Sequence, residues 1–144
     1  MKLTQYAYFA IYSPRVSAQE IEERVGVAPD RVVVKGSKQA EPPIPKEHGW
    51  QLRSGRPDAS LSDQIEELHA RLTPIENRIV ALLGELGSDA GCVLQVVREL
   101  NDPSASESGD DLLGWGLSPA AVALLARLGA LIDVDEYDAS ATAE

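Results

Sequence analysis

The chain has 144 residues, a formal net charge of −10 and one cysteine, a length that fits a single domain burying roughly 68–70% of its unfolded surface. The lone Cys92 excludes an internal disulfide framework and a multi-cysteine zinc site, and the acidic balance opposes the phosphate neutralisation that nucleic-acid binding needs. No apolar run approaches the ~18 residues of a membrane span and no leader-like segment opens the chain, so a cytoplasmic protein with no membrane partner is expected.

In chain order, Tyr6–Tyr12 alternates as a strand, with Ala7, Phe9 and Ile11 on one face and Tyr6, Tyr8, Ala10 and Tyr12 on the other. Ser17 and Glu20 form a capping box that opens a short helix, and Gly26 closes it. Val32, Val33 and Val34 are β-branched and read as a strand. Ser37–Gly49 is polar and carries Pro42, Pro43 and Pro45, which makes it a loop or an edge excursion. Trp50–Ser54 then reads as a strand, with Gln51 and Arg53 opposite Trp50 and Leu52.

Leu61, Ile65, Leu68, Leu72, Ile75, Ile79, Leu82 and Leu86 recur at alternating spacings of four and three, one apolar stripe along a helix. Glu67 lies off that stripe. Thr73-Pro74-Ile75-Glu76 reads as a cap with proline at the first helical position, which predicts a kink or two abutting helices. The same stripe suits either a helix covering a sheet or a dimeric coiled coil. Val93–Leu100 is a strand, with Cys92 at its start as a buried inert thiol. Asp102–Asp111 is rich in Ser, Gly and acids and reads as a mobile connection. Ser118 opens a helix that Gly129 closes. Leu131–Asp135 follows as a strand with Ile132 and Val134 alternating against Asp133 and Asp135.

These elements predict an α+β fold: a mixed, largely antiparallel sheet with helices on one face. Both halves run strand, Ser-capped helix, Gly stop and return strand, so two pseudo-repeated ferredoxin-like halves are expected. Residues 1–138 form one domain and 139–144 a frayed tail.

The path from Tyr6-Ala-Tyr-Phe through Gly26-Val-Ala-Pro29, Lys35-Gly36, Trp50-Gln-Leu-Arg-Ser54 and Leu131-Ile-Asp-Val-Asp-Glu-Tyr137 resembles a bacterial family of uncharacterised proteins, domain-of-unknown-function family 4279. The resemblance runs from about Tyr6 to Tyr137. It implies a fold and no activity.

Neither His48 nor His69 has metal-ligand spacing to another histidine or to Cys92, and no phosphate-binding glycine loop is present. No catalytic residue, metal or cofactor is expected. Asp133 and Asp135 share a strand face about 6.5–7 Å apart, a spacing open to a hard cation or to pairing with Arg53 or Lys35 on a wet sheet face. If the helices cover Phe9, Ile11, Ile132 and Val134, then Tyr6, Tyr8, Tyr12, Asp133 and Asp135, joined by Arg53, occupy the uncovered side. Tyrosine brings rigid apolar area with a polar tip. The expected function is a non-enzymatic binding module, an acidic antagonist or immunity-type protein docking a basic partner through this face, or forming a homodimer there. The alternative is a small-molecule sensor or enzyme with a polar cleft between the repeats, using Asp133, Asp135, Arg53 and Lys35.

Overall fold

Alternation in the first strand sets the architecture. A computed structural model describes residues 2–105 and 114–142. Strand β1 (Leu3–Ser13) turns Ala7, Phe9 and Ile11 into the core. It is the middle strand of five, pairing antiparallel on one side with β3 (His48–Arg53) and on the other with β4 (Gly91–Leu100). Outside β3 lies the short antiparallel β2 (Arg31–Val33), and outside β4 the parallel β5 (Leu131–Asp138). The order β2-β3-β1-β4-β5 makes the fold α+β with a mixed, mostly antiparallel sheet.

The helices share one face of it. Helix α1 (Ala18–Val25) starts at Ser17, whose hydroxyl accepts from the Glu20 amide, and ends at Gly26 with φ 79°. That left-handed turn is one glycine adopts without strain. Helices α2 (Leu61–Leu72) and α3 (Glu76–Leu86) abut through a 3₁₀ turn at Thr73–Ile75, and α4 (Pro119–Leu128) runs from Ser118 to Gly129. The stripe from Leu61 to Leu82 is buried inside the chain, in one core with Phe9, Ile11, Trp50, Leu52, Leu94 and Val96. It covers a sheet and is not the seam of a coiled coil. The interruption falls at Thr73 as expected, but not by the expected cap: the Thr73 hydroxyl donates backwards to the His69 carbonyl at 2.7 Å, closing α2 instead of opening α3.

The two strand–helix–strand units share caps and stops but not pairing, so the pseudo-repeat does not extend to topology. β4 and β5 are neighbours, whereas β3 sits between β1 and β2. Apolar burial accounts for the difference. β3 brings Trp50 and Leu52, both fully buried, to the place beside β1, while β2 is three residues long and mostly exposed. The Trp50 indole N–H also donates to the Val27 carbonyl at 3.0 Å, tying β3 to the end of α1.

Because β3 pairs with β1 only from Tyr8 onward, the edge of β1 before it lacks a strand. Gln64 of α2 takes its place. Its Oε1 accepts from the Ala7 amide at 3.1 Å, and its Nε2 donates to the Gln5 and Ala59 carbonyls at 3.3 and 3.0 Å. A primary amide carries the same donor–acceptor pair as a peptide unit, which is why it can continue the ladder.

Of the predicted connection Asp102–Asp111, residues from 106 onward lie outside the described residues, as do 143 and 144 of the predicted tail. Residues Ala139–Thr142 form a 3₁₀ turn, with the Ser140 hydroxyl donating to the Asp138 carboxylate at 2.6 Å. No helix among the described residues is long and apolar enough to cross a membrane.

Candidate functional site

The strand registers bring the expected residues to one sheet face. Arg53, Tyr8, Gln95 and Asp133 lie in one row across β3, β1, β4 and β5, and Tyr6, Val97 and Asp135 in the next. Strands about 4.8 Å apart put the tyrosine stripe within roughly 10 Å of the two aspartates. Ala10, Gln51, Gln95 and Val97 are buried at the centre of this face, while Tyr6, Tyr8 and Tyr12 keep part of their surface and Asp133 is exposed.

Tyr6 and Tyr8 are two residues apart and lean together, ring centroids 6.3 Å apart and 20° from parallel. The Arg53 guanidinium lies over both rings, 5.3 and 5.1 Å from their centroids, where the negative faces of the rings attract it. Its backbone is fixed as well: the Arg53 amide donates to Asp30, and its carbonyl accepts from Arg71, which is itself paired with Asp30. Arg53 is therefore a clamp on the aromatic stripe. It does not meet the aspartates, from which β1 and β4 separate it. Lys35 is also remote, its ammonium on the Pro14 carbonyl at 3.2 Å.

Gln95 orients the acidic side. Its Nε2 donates to the Asp135 carboxylate at 3.2 Å and to the Asp133 carbonyl at 3.4 Å. The Asp133 carboxylate has no hydrogen-bond partner among the described residues. At the far end of the stripe Tyr12 lies across Gly91, where an added Cβ would come within 2.5 Å of the tyrosine oxygen. A glycine at position 91 makes room for that ring. Burial first, then the neighbouring Tyr6, pushes the Tyr8 phenol above its ordinary value, and burial with Glu47 does the same for Tyr12. Both remain neutral, able to donate and to accept, at physiological pH.

Cys92 is buried, its thiol donating to the Leu128 carbonyl at 3.5 Å, and burial pushes it up to about 11. His48 accepts the Lys35 amide proton on Nδ1. Among the described residues no three His, Cys, Asp or Glu side chains are grouped to hold a metal ion. A groove of about 330 Å³ runs between α1 and β2, lined by residues including Ser17, Glu22, Val32, Val34 and His48. It lies at the opposite sheet edge from Asp133 and Asp135.

Sequence reasoning placed Ile132 and Val134 under the helices. They are 40% and 38% exposed, because α4 turns its apolar residues into the core beside Cys92 and leaves the edge strand β5 uncovered. It also missed Gln64, Gln95 and Glu67. Gln64 had a signal, a polar residue three positions after Leu61 on the apolar stripe. Glu67, off the apolar stripe as read, nevertheless accepts from the Gly55 amide at 2.8 Å, the Ser54 hydroxyl at 2.9 Å and Arg56 at 3.3 Å.

No curated protein and no solved structure matches this chain. A family does, over residues 2–139, which is nearly the whole chain. The protein belongs to the family described as Domain of unknown function (DUF4279).

Proposed function

We propose that the protein is a non-enzymatic binding module that docks a basic protein partner through the sheet face opposite its helices. The observation that carries this reading is the assembly, on that one face, of three partly exposed tyrosines, Tyr6 and Tyr8 stacked under Arg53 and Tyr12 seated across Gly91, beside the carboxylates of Asp133 and Asp135. Aromatic area fixed before contact loses little entropy on binding, which is how a few side chains come to dominate an interface. The net charge of −10 steers a basic partner towards the molecule. An antagonist or immunity-type role is consistent with that chemistry, and a lone buried cysteine suits the reducing cytoplasm.

The test is capture of partners from cell extract on the wild-type protein and on the double variant Tyr8→Ala/Asp135→Asn, with cross-links mapped onto both. The variant keeps the Gln95 hydrogen bond through the asparagine oxygen and loses one ring from under Arg53, a cation–π contact of about 0.5–1 kcal/mol to which the ring's partial burial and its stacking on Tyr6 add. A protein held by the wild type, cross-linked to the tyrosine face and lost from the folded variant supports the proposal. Equal retention by a folded variant refutes it.

A further inference from the structure

The two edges of the sheet are built differently. On one side β2 is three residues long and turns away at Lys35-Gly36, a short edge of the kind that resists further pairing. On the other side β5 runs for eight residues, and no strand pairs with its outer edge among the described residues. It contains no lysine, arginine, proline or glycine, and the charges it carries, Asp133, Asp135, Glu136 and Asp138, are all acidic, so the edge repels an acidic strand and admits a basic one. Leu131, Ile132, Val134 and Tyr137 are 59%, 40%, 38% and 55% exposed.

The side chains along that edge sort by face. Towards the tyrosine side stand Asp133 and Asp135, flanked by Leu131 and Tyr137; towards the helix side stand Ile132 and Val134, then Glu136. Glu136 is paired with Arg98, and Asp138, hydrogen-bonded to the neutral Asn101 and Ser140, sits at the end of the strand. At the middle of β5 the carboxylates without a cationic partner among the described residues are therefore Asp133 and Asp135, on the tyrosine side.

A second copy is a poor occupant. Antiparallel pairing of β5 with its own copy about a two-fold axis sets Asp133 opposite Asp135, or Asp135 opposite itself, and like charges directly opposite are destabilising. We propose that the outer edge of β5 receives an extended segment of a partner protein as a sixth strand, with lysine or arginine towards Asp133 and Asp135 and β-branched apolar residues towards Ile132 and Val134. Main-chain hydrogen bonds supply the affinity in this mode, and alternate side chains the specificity. The site shares Asp133 and Asp135 with the tyrosine-face reading but uses none of the three tyrosines, taking its affinity from the backbone groups of β5 instead.

The experiment uses three synthetic peptides of about ten residues, the length of a typical strand or slightly more. One alternates valine and lysine, one alternates valine and glutamate, and one holds the first composition in two blocks. Amide exchange of Leu131–Asp138 is followed in the full chain. The alternating lysine peptide should slow exchange in β5 by roughly tenfold near saturation, and the other two should not. In Asp133→Lys/Asp135→Lys the preference should pass to the glutamate peptide. Tyr8→Ala should leave the slowing unchanged, which separates this site from the tyrosine face. Equal binding of the blocked peptide, an absence of slowing in β5, or concentration-dependent protection of β5 by the chain alone would each overturn the proposal.

Discussion

Replacing Gln64 by leucine should destabilise the protein far more than its volume change suggests. The side chain is 1% exposed and makes three hydrogen bonds, to the Ala7 amide and to the Gln5 and Ala59 carbonyls. Ala7 is itself buried, so its orphaned N–H would cost about 1–3 kcal/mol; the two carbonyls, in half-buried residues, would cost about 0.5–1.5 kcal/mol each. Burying the extra apolar surface of leucine returns roughly 1 kcal/mol. The net expectation is a loss of about 1–5 kcal/mol in urea denaturation at neutral pH, with faster exchange of the Ala7 amide. Gln64→Glu sharpens the test. The introduced carboxylate still accepts from Ala7 but faces two carbonyl oxygens, so burial and those oxygens raise its pKa in the fold. Its deficit relative to wild type should be full above that raised pKa and should shrink as pH falls through it, because the protonated form donates again. A Gln64→Leu protein within about 0.5 kcal/mol of wild type, with Ala7 exchange unchanged, would refute the idea that this amide substitutes for a strand.

Leu68→Ala and Ile79→Ala, at buried positions on either side of the helical junction, should each cost about 2–5 kcal/mol in the same denaturation experiment. Cys92 should resist thiol reagents in the native protein at pH 8 and react on unfolding. Because burial raises its pKa from 9.0 to about 11, stability should be unaffected by this group below pH 9 and fall as pH rises from 9 through 11. On the acid side, the Gly55 amide, with Ser54 and Arg56, holds the Glu67 carboxyl below its ordinary value. For Asp30, burial pulls the other way, but Arg71 and the Arg53 amide outweigh it and the carboxyl also lies low. Both contributions are present above the ordinary carboxylate range and are lost as pH falls below it, so Glu67→Gln should flatten the decline of stability with acid.

Local pattern carried most of the elements. Alternation in β1 separated Phe9 and Ile11 from the tyrosines, the Leu/Ile stripe marked α2 and α3, and Ser17, Gly26, Ser118 and Gly129 marked helix ends where the structure has them. What the sequence could not show was which strands become neighbours. Seating β3 between β1 and β2 depends on Trp50 and Leu52 finding a core made of residues distant in the chain. The candidate face was legible to the same degree: alternation put Tyr8 and Asp135 on one side, but the stacking of Arg53 on two rings and the Gln95 hydrogen bond follow from register across strands. Thr73 shows the limit of local signals, since one hydroxyl beside a proline can close the helix before it or open the helix after it, and here it bonds back to His69.

The claim that the tyrosine face is a docking surface is tested most directly by chemical footprinting of the captured complex against the free protein. Tyrosine nitration and carboxyl labelling are read by mass spectrometry at Tyr6, Tyr8, Tyr12, Asp133 and Asp135, with the exposed Glu66 on α2 as the reference for the helix face. Partner binding should suppress labelling at the tyrosines and the two aspartates and leave Glu66 unchanged. Undiminished labelling of the tyrosines together with protection of Glu66 would place the partner on the helices and contradict the assignment.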